Sequence, residues 1–168
     1  MSDTASPHER LAADEGAQRL IGTVHGTIVG ASVLAVSGGV DDALTPVEAS
    51  VYVLATVAVF WVAHAWGHLL GFRAAGVEGH GVVKCLRDQL PIVEAVIAPL
   101  GALLVAGAAG ASDDDAINVA IWVCVGQLAL LGVGVGRREG QPLHRIALTA
   151  AGCAALGVVM VALKAIVH

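Results

Sequence analysis

The sequence predicts an all-α, polytopic membrane bundle of five transmembrane helices with the N-terminus inside and the C-terminus outside. Three observations carry this. Hydrophobic residues make up 57% of the 168-residue chain and charged residues only 14%, where soluble domains carry about a quarter charged; the mean hydropathy is +0.79. The apolar residues fall into five runs, near 20–38, 47–72, 90–110, 116–136 and 142–167, each close to the ~20 residues that cross ~30 Å of hydrocarbon. Finally, Arg10, Arg19, Arg73, Lys84, Arg87, Arg137, Arg138 and Arg145 all fall on one side of such a bundle, leaving only Lys164 on the other. Cationic loops stay in the cytoplasm, which sets the orientation.

The acidic stretch before the first span, "SDTASPHERLAADEGAQR", lacks the compact basic region of a signal peptide. Residues 1–18 are therefore expected to form a disordered cytosolic tail, and 19–168 the five-helix transmembrane domain. Within the first span Gly22, Gly26 and Gly30 form a tandem GxxxG row, a face that brings backbones close. It serves either a neighbouring helix of the same chain or a second subunit in a homo-oligomer. Thr45, Pro46 and Glu48 have the pattern of a capping box with proline at the first helical position, starting the second helix. The loop 73–89 contains a short amphipathic segment, Val82 to Leu90, expected to lie on the cytoplasmic surface.

The third and fifth helices open at Pro91 and Pro142, and Ser112 with Asp113–Asp115 caps the fourth. Pro99 lies inside the third span, where it kinks the helix and frees a carbonyl near residue 95 that a neighbour must satisfy. Ala147, Ala151 and Ala155 give the fifth helix a small-residue face. Cys85, Cys124 and Cys153 have no spacing that suggests a disulfide or zinc framework and are read as free thiols.

The strongest polar groups fall at one level. Counted at 1.5 Å per residue from the inner helix ends, His68 and Glu94 lie roughly 6 Å deep, His25 roughly 9 Å, Thr149 roughly 10 Å, His64 roughly 12 Å and Gln127 roughly 13 Å. Every helix contributes, while the outer half holds only Tyr52, Thr56, Asn118 and a few serines. This predicts a cytoplasm-facing pocket of His64, His68, Glu94 and His25, with Gln127 and Thr149 as supporting polar groups.

Histidines at i and i+4 share a helix face, so His64 and His68 can reach one metal. With His25 and Glu94 the donors suit Zn, Cu, Ni or Fe better than Ca or Mg. Neutral imidazoles beside a carboxylate also suit proton transfer or sensing. Haem is the weakest of these cofactors, since one helix cannot place both rings on opposite faces of a haem. No Walker loop, GxSxG elbow, HExxH or nucleic-acid signature occurs, and no nucleophile and base stand together, so the reading leans away from an enzyme. Expected function is metal or proton binding within transport or sensing. The alternatives are a homo-oligomeric channel or transporter with its pathway between subunits, and a non-catalytic accessory subunit.

Through "RLIGTVHGTIVGASVLA", "VFWVAHAWGHLLG" and "LRDQLPIVEAVIAPL" the chain resembles small integral membrane proteins of high-GC Gram-positive bacteria. That resemblance implies a bacterial cytoplasmic membrane location, in contact with the lipid bilayer, and supplies no catalytic residues.

Overall fold

Seven helices account for nearly all of the described chain: α1 (Pro7–Ser37), α2 (Pro46–Ala74), α3 (Val82–Asp88), α4 (Leu90–Glu94), α5 (Ile97–Ala108), α6 (Asp113–Arg138) and α7 (Leu143–Val167). This computed structural model describes residues 7–38, 43–77, 79 and 81–167, and side chains over 14–38, 43–77, 79, 81–159 and 162. No strand occurs among the described residues. Four stretches, Asp14–Ser37, Pro46–Ala74, Val82–Ala108 and Asp113–Arg138, are long and apolar enough to cross a membrane, and Leu143–Val159 is a shorter apolar helix. The described chain is thus all-helical, with four to five helices apolar enough to span a membrane.

α1 takes in the last twelve residues of the tail expected to be disordered. Residues 7–18 are helical, while 1–6 lie outside the described residues. Pro7 suits a first helical turn, and Leu11, Ala12, Ala13, Ala17 and Gln18 are good helix formers. Extending a helix the span has already nucleated fixes one residue per added bond, so this continuation is easy.

The caps follow the local chemistry. Thr45 Oγ1 accepts from the Glu48 amide, and Glu48 Oε2 accepts from the Thr45 amide at 3.1 Å, completing the capping box. Ser112 Oγ accepts from the Asp115 amide at the start of α6. At the other ends Gly110 and Gly140 take φ of 88° and 63°. The following amides, Ala111 and Gln141, then reach back to Ala106 O and Gly136 O, a stop that favours glycine.

The third span is broken as its proline requires. Pro99 has no N–H for the Ala95 carbonyl, and the chain turns at Ala95–Val96 between α4 and α5. The α1 glycine row is what lets this break come close. A Cβ on Gly26 would lie 2.1 Å from Ile92 O, one on Gly30 2.6 Å from Val96 Cγ1, and one on Gly22 3.2 Å from Pro91 Cβ. The face available to a neighbouring helix or a second subunit is therefore occupied by α4 and the Ala95–Val96 turn of the same chain.

Around this contact Leu34, Val53, Val57, Ile92, Leu103, Ile117 and Ile121 form the buried core. α7 closes the bundle against α6, where Gly132 would place a Cβ 2.7 Å from Ala150 Cα and Gly136 approaches Ile146. The expected small face of the fifth helix is not the one used. Ala147, Ala151 and Ala155 are exposed; the close approaches are made instead by Gly132 and Gly136 of α6, against Ala150 and Ile146, and by Gly157 of α7, against Val125. The segment expected from Val82 to Leu90 forms α3, which tucks Cys85 against Ala65 and Leu69 of α2. Trp61 Nε1 donates to Leu86 O at 2.9 Å, fastening the end of α3 to α2.

Candidate functional site: a histidine row between two helices

Four-residue spacing along α2 puts Tyr52, Thr56, Phe60, His64, His68 and Phe72 on one slowly winding ridge. Its second half is a stack of rings. Phe60 and His64 have centres 4.9 Å apart, His64 and His68 5.9 Å, and His68 and Phe72 6.2 Å. From α1, His25 enters beside it, 5.3 Å from His64 and 6.4 Å from Phe60. Three of the four expected pocket residues thus form one row, with His64 in the middle. His64 and His68 are half-buried and His25 is exposed.

The ring protons are partly assigned by what surrounds them. His25 Nδ1 lies 3.0 Å from Ile21 O. A carbonyl only accepts, so Nδ1 carries the proton and a neutral His25 keeps its Nε2 lone pair free. The His64 and His68 rings make no hydrogen bond with any described residue. Their nitrogens are open to a proton, a metal ion or another exogenous partner.

Glu94 stands apart from this row. Its Oε2 pairs with Arg19 Nη2 at 3.0 Å, with both side chains exposed. Arg19 lies within α1, where its long side chain reaches Glu94 at the end of α4, so the carboxylate has a cation of its own. Gln127 also points elsewhere: Nε2 donates to Thr27 Oγ1 at 3.0 Å and to Ala95 O at 3.1 Å. Ala95 O is the carbonyl that Pro99 leaves without a helical partner. Thr27 Oγ1 in turn donates to Thr23 O, which completes a polar knot joining α1, α6 and the helix break. Thr149 bonds back to Arg145 O within α7 and takes no part in the row. The six polar groups expected at one level therefore divide into a histidine row, an ion pair, a hydrogen-bonded knot and a local back-bond.

A ring nitrogen bonded at ~2.0–2.1 Å puts a ring centre about 3.2 Å from the metal, so two imidazoles at a tetrahedral angle have centres about 5.2 Å apart. The His25–His64 separation of 5.3 Å fits this, and His64–His68 at 5.9 Å is slightly wide. Because His64 belongs to both pairs, the row offers two-nitrogen sites rather than a closed cage. Among the described residues no three His, Cys, Asp or Glu side chains gather tightly enough to hold a metal ion.

The other half of the ridge was read from sequence as lying in an apolar outer half. There the structure has a cavity of about 500 Å³ between α1 and α2, with the hydroxyls of Ser32, Ser37, Tyr52 and Thr56 among its lining. The signal was present in the i, i+4 spacing of Tyr52 and Thr56 in register with His64 and His68. No protein-family model matches the chain, and no curated protein or solved structure matches it.

Proposed function

We propose that the protein resides in a bacterial cytoplasmic membrane with its N-terminus in the cytoplasm and its C-terminus outside. There His64, together with His25 or His68, takes up a transition-metal ion as part of transport or sensing. The observation that carries this reading is the convergence of three imidazoles from two helices with no counter-ion among them. Glu94 is held by Arg19, and an imidazole ligates a metal only through an unprotonated ring nitrogen. The Nδ1–H of His25 donates to a backbone carbonyl, the usual partner that orients a ligating imidazole and frees its other nitrogen. Zinc, copper or nickel suits an all-nitrogen donor set; iron prefers a carboxylate companion, which Glu94 does not supply here. Two protein nitrogens leave coordination positions for water or a carrier, as an exchanging site requires, whereas a structural zinc site is closed by four.

The test is metal uptake by purified protein in detergent, read by elemental analysis after removal of free zinc or copper. Near-stoichiometric binding is expected, lost in His64→Ala/His68→Ala, weakened in His25→Ala and unchanged in Glu94→Gln. Affinity should fall as pH is lowered from about 7.5 to about 5.5, because protons compete for the same lone pairs. Protein that takes up neither metal, or a double variant that binds as well as wild type, overturns the metal reading. A second reading rests on the same absence of a counter-ion: adjacent neutral imidazoles accept protons, and the row then senses or relays them. Proton flux or pH-dependent conformational change that survives in metal-free protein and disappears in His64→Ala distinguishes it.

A further inference from the structure

The histidine ridge of α2 borders a groove of small residues. Ala63, Gly67 and Gly71 follow one another at four-residue steps and so line one strip of the helix. All three are exposed, and a Cβ added to Gly67 or Gly71 meets nothing within 4 Å. On one side the strip is bounded by Phe60, His64, His68 and Phe72; on the other stand Val62, Trp66 and Leu70, each about half exposed. The glycine row of α1 is already used within the chain, since Gly22, Gly26 and Gly30 lie against α4 and the Ala95–Val96 turn. The α2 groove has the same spacing and is open.

From this register we propose that a second copy of the chain docks in the Ala63–Gly67–Gly71 groove, and that one metal ion is then shared between His64 and His68 of both copies. The inference rests on the metal reading above and says what completes that site. Two copies inserted the same way round bring α2 against α2 about a two-fold axis along the membrane normal, and such an axis requires one face to fit itself. This face meets the requirement: a groove lies beside a ridge of the same four-residue pitch, so the ridge of each copy enters the groove of the other, as in right-handed GxxxG pairs. His64 and His68 each come one position after a groove residue, Ala63 and Gly67, so closing the groove carries both rings of each copy to the seam. Four nitrogens close a tetrahedral zinc site, and this ridge brings two per copy. Among the described residues of one chain, no three His, Cys, Asp or Glu side chains gather to do the same. A single copy thus holds an open site that exchanges its metal, and pairing closes it. Occupancy and pairing favour each other, which turns metal binding into a change of assembly that a sensor can report.

The experiment is sedimentation equilibrium of the full-length protein in density-matched detergent, with zinc chloride or with EDTA, joined to elemental analysis of zinc per chain. Wild type is expected to sediment as two chains holding one zinc, with pairing roughly tenfold weaker or more in EDTA. Gly67→Leu fills the groove yet has room within its own chain, so it should melt like wild type and stay a single chain with or without zinc. Gly126→Leu, at a glycine of α6 whose added Cβ also meets nothing within 4 Å, should pair normally. His64→Ala/His68→Ala should lose the zinc dependence of pairing. Wild type that stays a single chain while binding zinc overturns the shared site and leaves the metal reading standing; lipid then covers the groove, and any further ligand comes from the same chain, with loss of zinc in His80→Ala identifying one outside the described residues. Pairing that Gly67→Leu leaves unchanged also overturns the proposal, because it puts the interface elsewhere. Protein that binds no zinc in either form overturns the metal reading, and this inference with it.

Discussion

At Gly26 a single hydrogen in place of a methyl decides whether two helices can meet. A Cβ there would stand 2.1 Å from a backbone oxygen, Ile92 O, and 2.9 Å from Ala95 Cβ. Neither can swing aside as a flexible side chain would, so Gly26→Ala has to push α1 off the helix break. Overpacking of this kind costs about 1–3 kcal/mol. Gly16 on the same helix has nothing within 4 Å of its virtual Cβ, and Gly16→Ala should gain up to about 1 kcal/mol from helix propensity. Thermal unfolding in detergent should therefore move in opposite directions for the two variants. Equal melting temperatures would show that the close contact carries no weight.

Among elements, the α4–α5 break depends on a residue from another helix. Gln127→Leu removes the donor to Ala95 O and should destabilise by about 1–3 kcal/mol, the usual cost of a buried group left unmet. Adding Pro99→Ala restores an N–H four residues after Ala95, able to close the helical bond itself. The double variant should recover part of the loss, with a coupling of about 0.5–3 kcal/mol; strict additivity would mean that Gln127 does not act through this carbonyl. The break and its orphaned carbonyl were legible from Pro99 alone, because proline acts on its own helix. That Gln127 answers it was not legible, since placing residue 127 beside residue 95 depends on how α6 rotates against α1. Glu94 was misplaced for the same reason: counting along helices gives depth, not azimuth, and the Arg19 side chain reached it first. His25, His64 and His68 did come together, because two of them share a ridge and α1 must pack beside α2.

For the molecule as a whole, charge asymmetry makes a prediction about sidedness. With Cys85, Cys124 and Cys153 replaced by Ala, Ser112→Cys should react with a membrane-impermeant maleimide added to intact cells, and Arg138→Cys only after permeabilisation. The opposite pattern would invert the proposed orientation. The same scale brings out a consequence of the polar knot for biosynthesis. When the third span emerges from the ribosome, its Ala95 carbonyl has already lost its helical partner to Pro99, and its donor, Gln127 Nε2, is 32 residues downstream. Until α6 has been synthesised, the third span carries an unmet polar group that lipid cannot solvate. The third and fourth spans are thus expected to leave the insertion machinery together, as one unit laid against the glycines of a first helix already waiting in the membrane.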